Sequence, residues 1–247
     1  MFDKGGQGMI AKFSESVRLL WRHLGLFSAI ILTVWLPGNI LINYFSYNNE
    51  DVSPFFFMKL TMWIDAIFGP ICIGAILFAV FQIKSGRAVT YREAMAAGIR
   101  KWGPLIAARL TAGFFILLGF LAFVVPGIYL MVRYAFLDAA VVLEDKDSTQ
   151  SRARSAKLIQ GRGWQIFGAG ALFFISYVVL IFVIYLPLGF FEALNLMPVQ
   201  IVLDCLLDIL FVVIQIVMFL FYWESIQSPE AVEPMSEMYE VPAAIHP

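Results

Sequence analysis

Residues 167–187 read FGAGALFFISYVVLIFVIYLP, 21 consecutive positions without a charged side chain. A helix needs about 20 mostly apolar residues to cross roughly 30 Å of hydrocarbon. A strand of a membrane barrel would alternate apolar and polar positions over about 10 residues, and this stretch does not. Lipid offers no partner to unpaired backbone groups, so a long apolar run is read as a helix. Five further runs qualify by the same reasoning. With Trp164–Phe191, the six are Leu24–Phe45, Phe55–Ile83, Pro104–Val125, Gly127–Leu143 and Val199–Trp223. The expected fold is all-α: a polytopic integral membrane protein with six transmembrane helices. The first run is longer than the 7–15 residue core of a signal peptide. No small-x-small cleavage pattern follows it, so it is expected to be a retained helix.

The whole composition points the same way. The chain has 247 residues, 61% hydrophobic and 14% charged, with mean hydropathy +0.82. A soluble domain carries about 25% charged residues. This composition argues against a water-soluble globule, a disordered chain and a nucleic-acid binder. Cys72 and Cys205 form no Cys-x-x-Cys pair, so they suggest no zinc site. The two histidines, His23 and His246, are too few and too badly placed for a catalytic triad or a His-based metal site. No metal, cofactor or catalytic constellation is expected.

Charge sets the orientation. The N-terminal stretch, the connection between spans two and three, and the connection between spans four and five together hold 14 of the 17 Lys and Arg residues. The opposite connections, Ser46–Pro54 and Glu192–Pro198, hold only acids: Glu50, Asp51 and Glu192. The positive-inside rule then puts both termini in the cytoplasm. Trp21, Trp102, Trp164 and Trp223 fall at expected cytoplasmic ends, and Tyr44, Tyr129 and Tyr185 near outer ends, as interfacial aromatic belts require.

A basic stretch ending in glycine precedes three of the spans: Trp21-Arg-His-Leu-Gly25, Ile99-Arg-Lys-Trp-Gly103 and Ile159-Gln-Gly-Arg-Gly163. The second opens with Thr90-Tyr-Arg-Glu93, a capping-box pattern, and the third with Asp147-Ser-Thr-Gln150. Cationic amphipathic helices lie in the headgroup plane. Three basic interfacial helices are therefore expected on the cytoplasmic side, with Arg18, Arg22, Arg100, Lys101, Arg152 and Arg154 on lipid headgroups, anionic ones above all. The spacing suggests three helix-plus-hairpin units, 13–83, 84–143 and 144–223, forming a six-helix domain over 13–223. Residues 1–12 are expected to be a flexible N-terminus. Residues 224–247 carry Glu230, Glu233, Glu237 and Glu240 and no Lys or Arg, and are expected to be an acidic, disordered cytoplasmic tail.

Ionisable residues inside spans are costly and point to function or to pairing. Asp65, Arg133, Asp204 and Asp208 are placed in the outer half, where they could line a polar pocket for an ion, a proton or a headgroup. The simpler expectation is that Arg133 and one aspartate pair and fix packing, because a paired charge needs no ligand. Arg109 and Asp138 are expected to pair across the third and fourth spans. Pro126-Gly127 reads as a tight outer turn between those two spans.

The stretch Pro126-Gly-Ile-Tyr-Leu-Met-Val-Arg133, followed by Ala140-Val-Val-Leu-Glu144, Ser151-Arg-Ala-Arg-Ser155 and Gly163-Trp164, resembles a known family. This is the membrane domain attached to some bacterial glycerophosphodiester phosphodiesterases and present in related stand-alone six-helix proteins. The resemblance covers 13–223 and implies a six-helix bacterial inner-membrane module. Its motif positions are Pro126, Gly127, Arg133, Glu144, Ser155 and Trp164. In the phosphodiesterases the chemistry belongs to a separate soluble barrel, so a non-enzymatic protein is expected here. It would act through lipid or membrane-protein partners. The alternative is a small transporter using the Arg/Asp site.

Overall fold

The computed structural model describes residues 3–48, 53–190 and 196–227. Parts of the two acidic connections and the segment from 228 onward lie outside the described residues. The described chain forms nine α-helices and no strand. They are α1 (Asp3–Arg22), α2 (Leu24–Asn48), α3 (Pro54–Lys84), α4 (Tyr91–Ala122), α5 (Val124–Arg133), α6 (Leu137–Leu143), α7 (Ser148–Ile159), α8 (Gly163–Phe190) and α9 (Met197–Gln227). Six segments are long and apolar enough to cross a membrane, with α5 and α6 together making one. The molecule is a multi-pass helical protein of the membrane class.

The core centres on the C-terminal half of α3, where Cys72, Ala75, Ile76, Ala79 and Val80 are fully enclosed. α4 lies against it at a Gly–Gly contact. A Cβ on Gly98 would collide with the Ile71 carbonyl and come within 3.0 Å of the Ala75 nitrogen, and one on Gly74 would meet Gly98 Cα at 3.1 Å. Small residues of this kind let membrane helices approach closely.

Several boundaries differ from the sequence expectation. The supposedly flexible residues 1–12 are helical from Asp3. They are held because Lys12 pairs with Glu224 at 2.6 Å and stands 4.7 Å from the Phe221 ring centre. Glu224, expected in the tail, is for the same reason part of α9.

The second basic stretch is not a separate interfacial helix. It runs straight into the third span, making α4 32 residues long, about 48 Å. One buried stripe explains the continuity: Ala94, Ala97, Lys101, Leu105, Ala108 and Ala112 recur at helical spacing along α4. Its start carries the expected box: Thr90 N donates to Glu93 Oε2 (2.8 Å) and Glu93 N donates to Thr90 Oγ1 (3.4 Å).

The turn between the third and fourth spans is Phe123, in extended backbone, not Pro126-Gly127. Pro126 sits in the first turn of α5, where its missing N–H is not needed. Gly127 instead seats the Phe120 ring and packs on Gly119. The fourth span is also broken between α5 and α6. The three lead-in helices thus take three geometries: α1 ends at Arg22 and passes to α2 through His23, the second is continuous with α4, and α7 turns into α8 through Gly161 at φ +78°.

Candidate functional site

The polar site lies between α2 and α9, which run antiparallel. Asn39 and Asn43 are one turn apart on α2, as Asp204 and Asp208 are on α9. The helices meet in register. Asn39 Nδ2 donates to Asp208 Oδ2 at 2.8 Å, and Asn43 Nδ2 donates to Asp204 Oδ2 at 2.7 Å. Both asparagines are buried. Asn43 Nδ2 also donates to the Asn39 carbonyl at 2.9 Å. From α8, the Tyr185 hydroxyl donates to the other oxygen of Asp204. Two carboxylates inside the bundle are thus answered by carboxamides and a phenol, all neutral donors. Such hydrogen bonds satisfy the oxygens without cancelling their charge. Beside Tyr185, an open apolar groove of about 470 Å³ is lined by Ile181, Phe182, Leu186 and Phe190.

Arg133 does not join this site. It is exposed, with Nη1 donating to the Tyr129 hydroxyl at 3.0 Å and its guanidinium 5.8 Å from the same ring centre. Arg133 follows Gly127 by six residues, about 240° around the helix, so it points away when Gly127 packs on α4. Asp65 is exposed on α3, its carboxylate lying over Gly69. Arg109 is bidentate to Asp138, Nε to Oδ1 at 2.9 Å and Nη2 to Oδ2 at 2.8 Å. The expected Arg109–Asp138 pair therefore forms, whereas Arg133 does not join the aspartates it was expected to meet. Asp204 and Asp208 sit on the asparagine ladder, Asp65 is exposed on α3, and Arg133 stands apart.

The motif positions are structural where they are buried. Ser155 Oγ accepts from Phe136 N (3.1 Å) and donates to the Arg133 carbonyl (2.9 Å), bridging the break between α5 and α6. Glu144 accepts from Arg154 Nε at 2.9 Å and from the Tyr222 hydroxyl at 2.8 Å. Trp164 is 86% exposed.

The six cations expected on headgroups divide into two sets. Arg18, Arg22 and Arg100 are exposed. Lys101 is buried and paired with Asp145, and Arg154 is held by Glu144. Arg152 lies over Phe115 (4.8 Å) and its Nε donates to the Ser148 carbonyl at 3.0 Å. α7 explains Arg152 and Arg154: Ser151, Ser155, Leu158 and Ile159 bury one of its faces against the bundle, so its arginines are drawn onto protein partners.

Sequence reasoning missed Asn39 and Asn43. Their signal was present: two asparagines four apart in one apolar run match two aspartates four apart in another. Glu224, which gathers Lys12 and Arg162, was also missed. Among the described residues no group of three His, Cys, Asp or Glu side chains is placed to hold a metal ion. Comparison of the chain with protein-family models, with curated proteins and with solved structures gave no match.

Proposed function

We propose that this chain is a non-enzymatic bacterial inner-membrane protein, with both termini cytoplasmic, that acts through contacts with anionic lipid at its basic end. The six-helix membrane module it resembles suits this reading. The supporting observation is the outward face of α1. Ile10, Ser14, Arg18, Trp21 and Arg22 line one side of that helix and all are exposed. Arginine for phosphate, with tryptophan and isoleucine for the acyl boundary, is the composition of a headgroup-binding face. The test compares the purified protein in phosphatidylcholine and phosphatidylglycerol nanodiscs. Thermal stability and retained lipid should both rise with phosphatidylglycerol, and Arg18→Gln/Arg22→Gln should remove most of the gain. Equal behaviour in both lipids would refute the reading.

A second reading, a small cation- or proton-coupled carrier, is favoured by the Asn–Asp ladder. Its carboxylates have only neutral donors, and uncompensated charge inside a bilayer is expensive. Ion or proton flux in proteoliposomes, abolished by Asp208→Asn, would support it, and absence of flux under every gradient would sink it.

A further inference from the structure

We infer that the acidic segment after Gln227 is an intramolecular occupant of the same α1 face, competing there with anionic lipid. This rests on the lipid reading for its consequence but not for its geometry. The observation is where that segment starts. Glu224 is tied to Lys12, and Lys12 stands over Phe221, so the end of α9 lies against the middle of α1. Arg18 and Arg22 follow Lys12 by six and ten residues, about 9 and 15 Å along the helix. An extended chain reaches about 3.3 Å per residue, so Glu230 to Glu240 span those distances beyond Gln227.

The chemistry is complementary. Residues 228–247 hold four glutamates and no Lys or Arg, interleaved with Val232, Met235, Met238 and Tyr239. The α1 face offers Arg18 and Arg22 beside Ile10 and Trp21. Neither arginine forms an ion pair among the described residues, whereas Lys12, Lys84, Lys101, Arg154 and Arg162 all do. Exposed ion pairs are individually weak, but tethering raises the effective concentration of the segment. An anionic leaflet repels the same glutamates and attracts the same arginines. Lipid and segment therefore exclude one another, and the free state of the face is set by local anionic lipid density.

The test uses the full chain with spin labels on Ala11→Cys, beside the face, and Ser236→Cys. Both native cysteines are buried, so labelling is selective. In phosphatidylcholine nanodiscs the labels should show a short, narrow distance population. It should disappear when Glu230, Glu233, Glu237 and Glu240 are changed to Gln, when Arg18 and Arg22 are changed to Gln, and when phosphatidylglycerol is added. The four-Gln variant should also bind phosphatidylglycerol about threefold more tightly. A broad distribution indifferent to these changes, or a narrow one surviving the four-Gln substitution, would overturn the inference. If the label distances behave as expected but phosphatidylglycerol affinity is the same with and without Arg18 and Arg22, the lipid reading fails and the docking stands. If phosphatidylglycerol binding needs the arginines but the label distances ignore the glutamates, the docking fails and the lipid reading stands.

Discussion

A single hydroxyl, that of Ser155, holds the broken fourth span together. Tyr134, Ala135 and Leu137 recover their N–H bonds from nearby carbonyls, but Phe136 N–H and the Arg133 carbonyl both depend on Ser155. Leaving buried backbone groups unpaired costs about 1–3 kcal/mol. Ser155→Ala should lower unfolding stability in nanodiscs by that order, and an unchanged denaturation midpoint would contradict the role. Asp145 offers a pH counterpart. It has left-handed backbone, φ +56°, which aspartate tolerates better than most residues. The hydrogen bond and charge of Lys101 hold its carboxyl below the usual carboxylate range. Its folded-state pKa is depressed, so its contribution is present above the unfolded aspartate value, about 3.9, and is lost as pH falls through the lower folded value. Asp145→Asn should remove this part of the acid-side stability loss while destabilising the protein at neutral pH, because Lys101 is left buried without its partner. Unfolding curves from neutral pH down to acid check both signs.

At the scale of elements, α4 shows why glycine-rich sequence alone misleads. Gly98 and Gly103 look alike in the chain, yet Gly98 meets α3 backbone while nothing lies within 4 Å of a Cβ on Gly103. Gly98→Ala should push α3 and α4 apart and cost about 1–3 kcal/mol, as overpacking does. Gly103→Ala should be neutral or stabilising by up to about 1 kcal/mol, because glycine is costly inside a helix. Thermal unfolding of the two variants side by side tests the pair, and equal effects would disprove the assigned contact. The same helix shows how packing overrides a local stop signal. Gly103-Pro104 reads as a boundary, but the buried stripe on α4 crosses it unbroken.

For the whole molecule, the prediction is topological. In sealed vesicles, single cysteines at Ser46 and Gln160, both exposed, should be labelled from opposite faces, because three spans separate them. Labelling from one face would refute six crossings. The number, length and helical nature of the spans were legible because lipid permits few structures, and length with apolar composition decides among them. The Arg109–Asp138 pair was legible because a short antiparallel hairpin sets its own register. The wider site was not. Whether Arg133 points toward Asp208 or away depends on which side of α5 packs against α4, and that is settled by Gly119 and Gly127. The bonding of Asn39 and Asn43 to α9 joins residues more than 160 positions apart, and no local pattern encodes the pairing of first and last spans. Solvent preference is a property each residue carries alone, so the sequence by itself determined a six-helix membrane protein with its cations gathered at one end. Partner choice is a property of pairs brought together in space, so only the tertiary structure decided which cations stay free and which carboxylates face neutral donors.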